Sequence, residues 1–233
     1  MPQKVKRINI IMENFIKILN GFDNKRKESR NSGKWDEVEV GKCFLPCAEE
    51  ILCNGYFLIN REYILDFGSI ELYYHEEFDG GLKDHKMYHT NEKLPQSYWN
   101  KIKKYPNGQL TLFYKSIIEN NGYPYFKIGS VNLHQSGVDI TFENKEKQYR
   151  ASFLIRSYRM MKKEDYNNDS ILYDPCSSHL YDDMNNAGLL SLGNIYTIEW
   201  IKYSKGGKVI QCHRRNLDEK PWQFMLENLK EIK

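Results

Sequence analysis

The chain has 233 residues, 40% of them hydrophobic and 28% charged, with a formal net charge of +3. That is enough apolar material for one packed core, but it is spread too thinly for a membrane span, which needs about 18 consecutive apolar residues. The opening residues, Met1 to Arg7 and the interrupted apolar run behind them, lack the features of a secretory signal, so a cytoplasmic monomer with no membrane partner is expected.

Taken in chain order, Ile8, Ile11, Phe15, Ile18, Leu19 and Phe22 recur near helical spacing and predict an amphipathic helix over 8–22. The stretch after it holds Lys25, Arg26, Lys27, Arg30 and Lys34 and is closed by Ser32-Gly33, which reads as a mobile linker or arm, either a solvated surface loop, the commoner case for a charge run, or an arm that contacts phosphates. Residues 1–34 are therefore taken as a helix with a basic arm, and 35–233 as one α+β domain. Ala48 to Leu52 suggests a short helix. Tyr56 to Ile59 and Tyr63 to Phe67 read as strands around a tight turn, followed by Ser69 to His75. Further strands are expected at Leu110 to Tyr114, Gly137 to Phe142 and Ala151 to Arg156. Asp182 to Leu190 suggests a short helix, Ile195 to Tyr203 and Lys208 to Cys212 two more strands, and Pro221 to Leu226 a final helix opened by proline. The expected fold is a curved, mainly antiparallel sheet with flanking helices.

Five cysteines (Cys43, Cys47, Cys53, Cys176 and Cys212) share no paired spacing and read as idle thiols. Cys176-Ser177-Ser178-His179 offers a nucleophile beside a base but no third member, and is set aside. The 14% aromatic content suits a protein that stacks flat ligands, though cores use the same residues.

The segment Ile70 to His85 carries the most chemistry. Side chains two apart in a strand share a face, so Glu71 should lie beside Tyr73 and His75. An acid among aromatic residues is costly unless it is paired, solvated or functional. His75, His85 and His89, with Glu76, Glu77, Asp79 and Asp84 between them, admit a metal-dependent hydrolase, although Gly80-Gly81 favours a loop over the helix that a His-x3-His pair needs. Asp139 alternates with Val138 and Ile140, which favours a solvated carboxylate over one that lines a pocket. His134, just before that strand, reads as groove-lining or turn-capping.

In order, Ile70-Glu71-Leu72-Tyr73, Asp84-His85, the aromatic strand after Pro106-Asn107-Gly108, Gly137-Val138-Asp139-Ile140-Thr141-Phe142 and Phe153-Leu154-Ile155-Arg156 resemble the alkyladenine (3-methyladenine) DNA glycosylase family. The resemblance spans about residues 46–160 and includes Ala48-Glu49-Glu50-Ile51-Leu52 before the first strands. It implies hydrolysis of the N-glycosidic bond of a flipped damaged or modified base in double-stranded DNA, as in base-excision repair, without strand cleavage, cofactor or metal. Glu71 would activate water and Tyr73 would stack on the base. His85 or His89 would take the pocket histidine's place, Phe113 or Tyr114 would be the second stacking ring, and Arg156 would lie at the DNA-facing end of its strand. Two positions depart from the family pattern. His134-Gln135-Ser136-Gly137 stands where the family has a Tyr-Gly-Met wedge, and Glu143 where it has a pocket asparagine. Those departures leave open a non-catalytic nucleic-acid- or nucleotide-binding module on the same fold.

Overall fold

The computed structural model describes residues 3–87, 125–126, 128–134, 137–166, 172–188, 198–214 and 219–232. Helices α1 (Gln3–Asn31) and α2 (Glu37–Cys53) lead into strands β1 (Gly55–Ile59) and β2 (Tyr63–Glu76). Then come β3 (Ser130–His134), β4 (Gly137–Thr141), β5 (Tyr149–Lys162), helix α3 (Ser177–Asn186), β6 (Ile198–Lys202), β7 (Val209–Cys212) and β8 (Gln223–Leu226). Among the described residues eight strands make one sheet, ordered β3-β4-β5-β2-β1-β6, with β8 pairing both β2 and β7. All of these pairings are antiparallel. The result is an α+β architecture with an open antiparallel sheet and flanking helices. No helix among the described residues is long and apolar enough to cross a membrane.

The basic segment after Phe22 is not an arm. α1 continues without a break to Asn31, because Phe15, Leu19, Phe22 and Arg26 form one stripe at helical spacing and Arg26 is as buried as the rest. Both Arg26 and Arg30 reach Glu76 Oε1, at 2.7 and 2.6 Å. A buried carboxylate at the end of β2 thus takes up the charge that the sequence suggested was free for phosphates. Lys25, Lys27 and Lys34 remain exposed.

α2 is longer than the expected short helix. It starts at Asp36, whose side chain accepts the Glu39 N–H at 2.8 Å, and it runs through Pro46. Asp-x-x-Glu is a helix-start signal, and Pro46, normally a breaker, obscures it. The expected C-terminal helix is a strand instead. β2 has β1 beside it only through Tyr63–Leu65, and β8 fills the same edge at Ser69, Ile70 and Glu71. The Trp222 carbonyl accepts the Leu72 N–H at 2.7 Å just beyond. Open backbone donors on a buried strand must be met, and that need outweighs the proline's local preference. Leu110 to Tyr114 lies outside the described residues.

One face of β2 (Ile70, Leu72 and Tyr74) packs with Phe153 of β5 and Phe224 of β8 against the two N-terminal helices. Phe44 stacks on Phe142 with centroids 5.4 Å apart and meets Phe224 edge-on at 5.3 Å, and Phe22 meets Tyr74 at 5.6 Å. β1 approaches β6 so closely that a Cβ on Gly55 would stand 2.4 Å from the Trp200 ring and 2.7 Å from the Ile201 carbonyl. Gly55→Ala is therefore expected to cost about 1–3 kcal/mol, measured by urea unfolding, because ring and backbone cannot both retreat.

Candidate active site

The opposite face of β2 carries Glu71, Tyr73 and His75, as alternation requires. Glu71 is 1% exposed. Its Oε1 accepts from the Tyr73 hydroxyl at 2.5 Å and from Arg156 Nη2 at 2.9 Å, and its Oε2 accepts from Arg156 Nε at 2.8 Å. Arg156 Nη2 also lies 3.3 Å from the Tyr73 oxygen. A carboxylate offers about four acceptor positions. Among the described residues three are filled, and the one not met is on Oε2.

Arg156 reaches this point because of two adjacent irregularities in the β2–β5 ladder. Ser69 pairs with Ser157 and Ile70 with Ile155, so Arg156 has no residue opposite it, while Gly68 is the extra residue on β2. Bulges bend a strand and re-aim a side chain, here toward the acid. Gly68 permits the irregularity by its size: a Cβ there would lie 2.5 Å from Leu229 Cδ1 and 2.8 Å from Ser157 Oγ. Burial disfavours the charge on Arg156, but the hydrogen bonds to Glu71 and the Glu71 charge outweigh it and hold its pKa above the ordinary value. Tyr73 is raised well above ordinary tyrosine, first by burial and then by the Glu71 charge, so it stays a neutral donor.

Behind this trio stands a second ion pair. Arg214 meets Asp84 through two nitrogens, at 2.8 and 3.1 Å, and its guanidinium lies 4.9 Å over the Tyr73 ring and 5.1 Å over Trp222. Asp84 Oδ2 accepts the Tyr74 N–H at 3.2 Å, and the Asp84 N–H donates to His75 Nδ1 at 3.1 Å. The buried histidine of this layer is thus His75, whereas His85 is exposed. The turn 85–86 places Asp84 inward and its neighbour outward, which the local sequence did not reveal. Arg214 was missed altogether, since it lies 130 residues from Asp84 in a segment with no motif.

Asp139 faces away from the apolar core, as alternation suggested, yet it is buried rather than solvated. Its strand partner Leu154 also pairs with Glu71, so the two acids lie in one row across three strands. Glu143 sits deep as well, accepting the Phe126 N–H at 2.8 Å and facing Arg150 at 3.4 Å. The structure thus brings Glu71, Tyr73, Asp139 and Arg156 onto one face and leaves His85 outside. His89, Phe113 and Tyr114 lie outside the described residues, as does the side chain of His134, whose backbone ends β3. Among the described residues no three His, Cys, Asp or Glu side chains gather as a metal site.

No family model, curated protein or solved structure matches this chain. What the arrangement can do is read from its own geometry. It holds an orientation-locked carboxylate with one acceptor position open, a neutral phenol and a guanidinium, on a sheet face rich in further polar groups.

Proposed function

We propose that this chain is a DNA glycosylase that hydrolyses the N-glycosidic bond of a base extruded from duplex DNA, with Glu71 as the water-activating carboxylate. The observation that carries the reading is the meeting of Glu71, Tyr73 and Arg156, 85 residues apart at their extremes, around one open position on Glu71 Oε2. A base inside a duplex is out of reach, so it must be swung out and held against a flat ring. Stacking contributes about 1–3 kcal/mol per base toward that cost. As the bond between C1′ and the base nitrogen breaks, positive charge develops on the sugar and the Glu71 carboxylate stabilises it. Water attacks C1′ and its proton passes to Oε2; the base departs with the bonding electrons and takes a proton from solvent, and Glu71 releases its own to solvent, which restores the carboxylate. Arg156 and Tyr73 act by fixing the carboxylate's direction. No amine nucleophile takes part, so the strand stays intact.

On this face of the sheet phosphate contact falls to Arg156, whose side chain is 15% exposed and whose Nη1 makes no hydrogen bond among the described residues; the exposed Lys25 and Lys27 lie on α1, which packs on the other face. The test is incubation of the full chain with duplexes carrying alkylated, deaminated or bulky modified bases. Free base and an alkali-labile abasic site are expected from at least one, and no release from any would overturn the reading. A second reading, a binding module without catalysis, is favoured by the Arg214 guanidinium that already occupies one face of Tyr73. Tight binding to such a duplex without release would select it.

A further inference from the structure

Ser152 is fully buried, and its Oγ has no hydrogen-bond partner among the described residues. It stands on β5 directly across from Tyr73 on one side and Thr141 on the other. Residues paired across an antiparallel ladder project to the same face. The hydroxyl therefore lies on the side of Glu71 and Tyr73, while its neighbours Ala151 and Phe153 belong to the apolar core. A buried hydroxyl without a partner is costly, and native structures rarely keep one for nothing. The other buried serines of this region are met: Ser69 and Ser157 bond to each other at 2.8 Å, and Ser177 donates to the Ile155 carbonyl at 2.6 Å. Ser152 is the exception, and it is one strand away from the ring proposed to hold the base.

We infer that Ser152 is a specificity-determining residue of the Glu71 site, an inference that rests on the glycosylase reading above. Its hydroxyl donates to an oxo oxygen on the edge of the extruded base, and so favours bases that carry that acceptor. The unmet donor is costly in the free protein and is satisfied only when substrate is bound, so the residue trades stability for recognition.

The test compares wild-type protein with Ser152→Ala on duplexes in matched pairs, each pair an oxo-substituted base and its deoxo counterpart. Release of the oxo base is expected to fall by about ten- to a hundredfold in the variant, with the deoxo counterpart unchanged. The melting temperature should hold or rise, because the substitution removes a buried donor with no partner. Equal effects on both members of every pair, no effect on either, or a lower melting temperature would each overturn the inference, leaving the glycosylase reading intact. Absence of release by the wild type would overturn both. Ser152→Cys, whose thiol is a much weaker donor, is a second variant and is expected to give the same selective loss.

Discussion

Glu71→Gln is expected to lower base release by about 10²- to 10⁴-fold, the range that a positioned general base contributes, while DNA binding persists. Glutamine keeps one oxygen that can accept from Tyr73 or Arg156, so the local frame survives. It lacks the charge that stabilises the developing cation and the basicity to take a proton from water. The structural cost is bounded for the same reason. Arg156 loses an ionic acceptor but its side chain is 15% exposed and can turn toward water, so destabilisation of about 1–3 kcal/mol is expected. Single-turnover release, compared with duplex affinity and the melting temperature, separates the two effects. Wild-type release rates from the variant would remove Glu71 from the chemistry.

The largest stability effect is expected at Glu76. Its carboxylate is fully buried and receives Arg26, Arg30, the Tyr74 hydroxyl at 2.6 Å and the Leu82 N–H at 2.9 Å. Glu76→Ala leaves Arg26, 7% exposed, with no ionic partner among the described residues, while Arg30, 33% exposed, can recover some hydration. A loss of about 3–5 kcal/mol is expected, with the C-terminal turns of α1 lifting from the sheet. Burial pushes the Glu76 pKa up, but the Tyr74, Leu82 and arginine contacts outweigh it and hold it below the ordinary 4.5. The unfolded chain therefore takes up the proton first as pH falls. The wild-type advantage is complete above about pH 4.5 and is lost as pH falls through the lowered folded value. Denaturant unfolding of both proteins between neutral and acid pH measures this, and an advantage that does not shrink in acid would show that the ion pairs are not its source.

These two acids show how far local patterns reach. That Glu71 and Tyr73 share a face, and that Leu72 and Tyr74 share the other, follows from the two-residue period of any strand, and it holds. The hairpin between β1 and β2 was equally plain in its strand–turn–strand pattern. Some signals were present but outweighed. Arg26 continues the Phe15, Leu19, Phe22 stripe, yet a run of basic residues reads as solvated because such runs usually are. Asp36 and Glu39 mark the start of α2, and Pro46, ordinarily a helix breaker, lies inside it and masks its length. Pro221 pointed to a helix that the vacant edge of β2 turned into a strand.

Other features had no local signal. Asp66 is met by Arg159, 93 residues away, and by Lys205, 139 residues away, and Glu71 by Arg156 only because a bulge turns that side chain. The amino-acid order by itself settled the mixed helix-and-strand class, most of the strands and which side chains alternate, since each depends on neighbours a few residues apart. Which cation neutralises which acid, that His75 rather than His85 is inside, and that Ser152 has no hydrogen-bond partner among the described residues were decided by tertiary structure alone. Charge pairing depends on distance in space, and strand order sets that distance where separation along the chain does not.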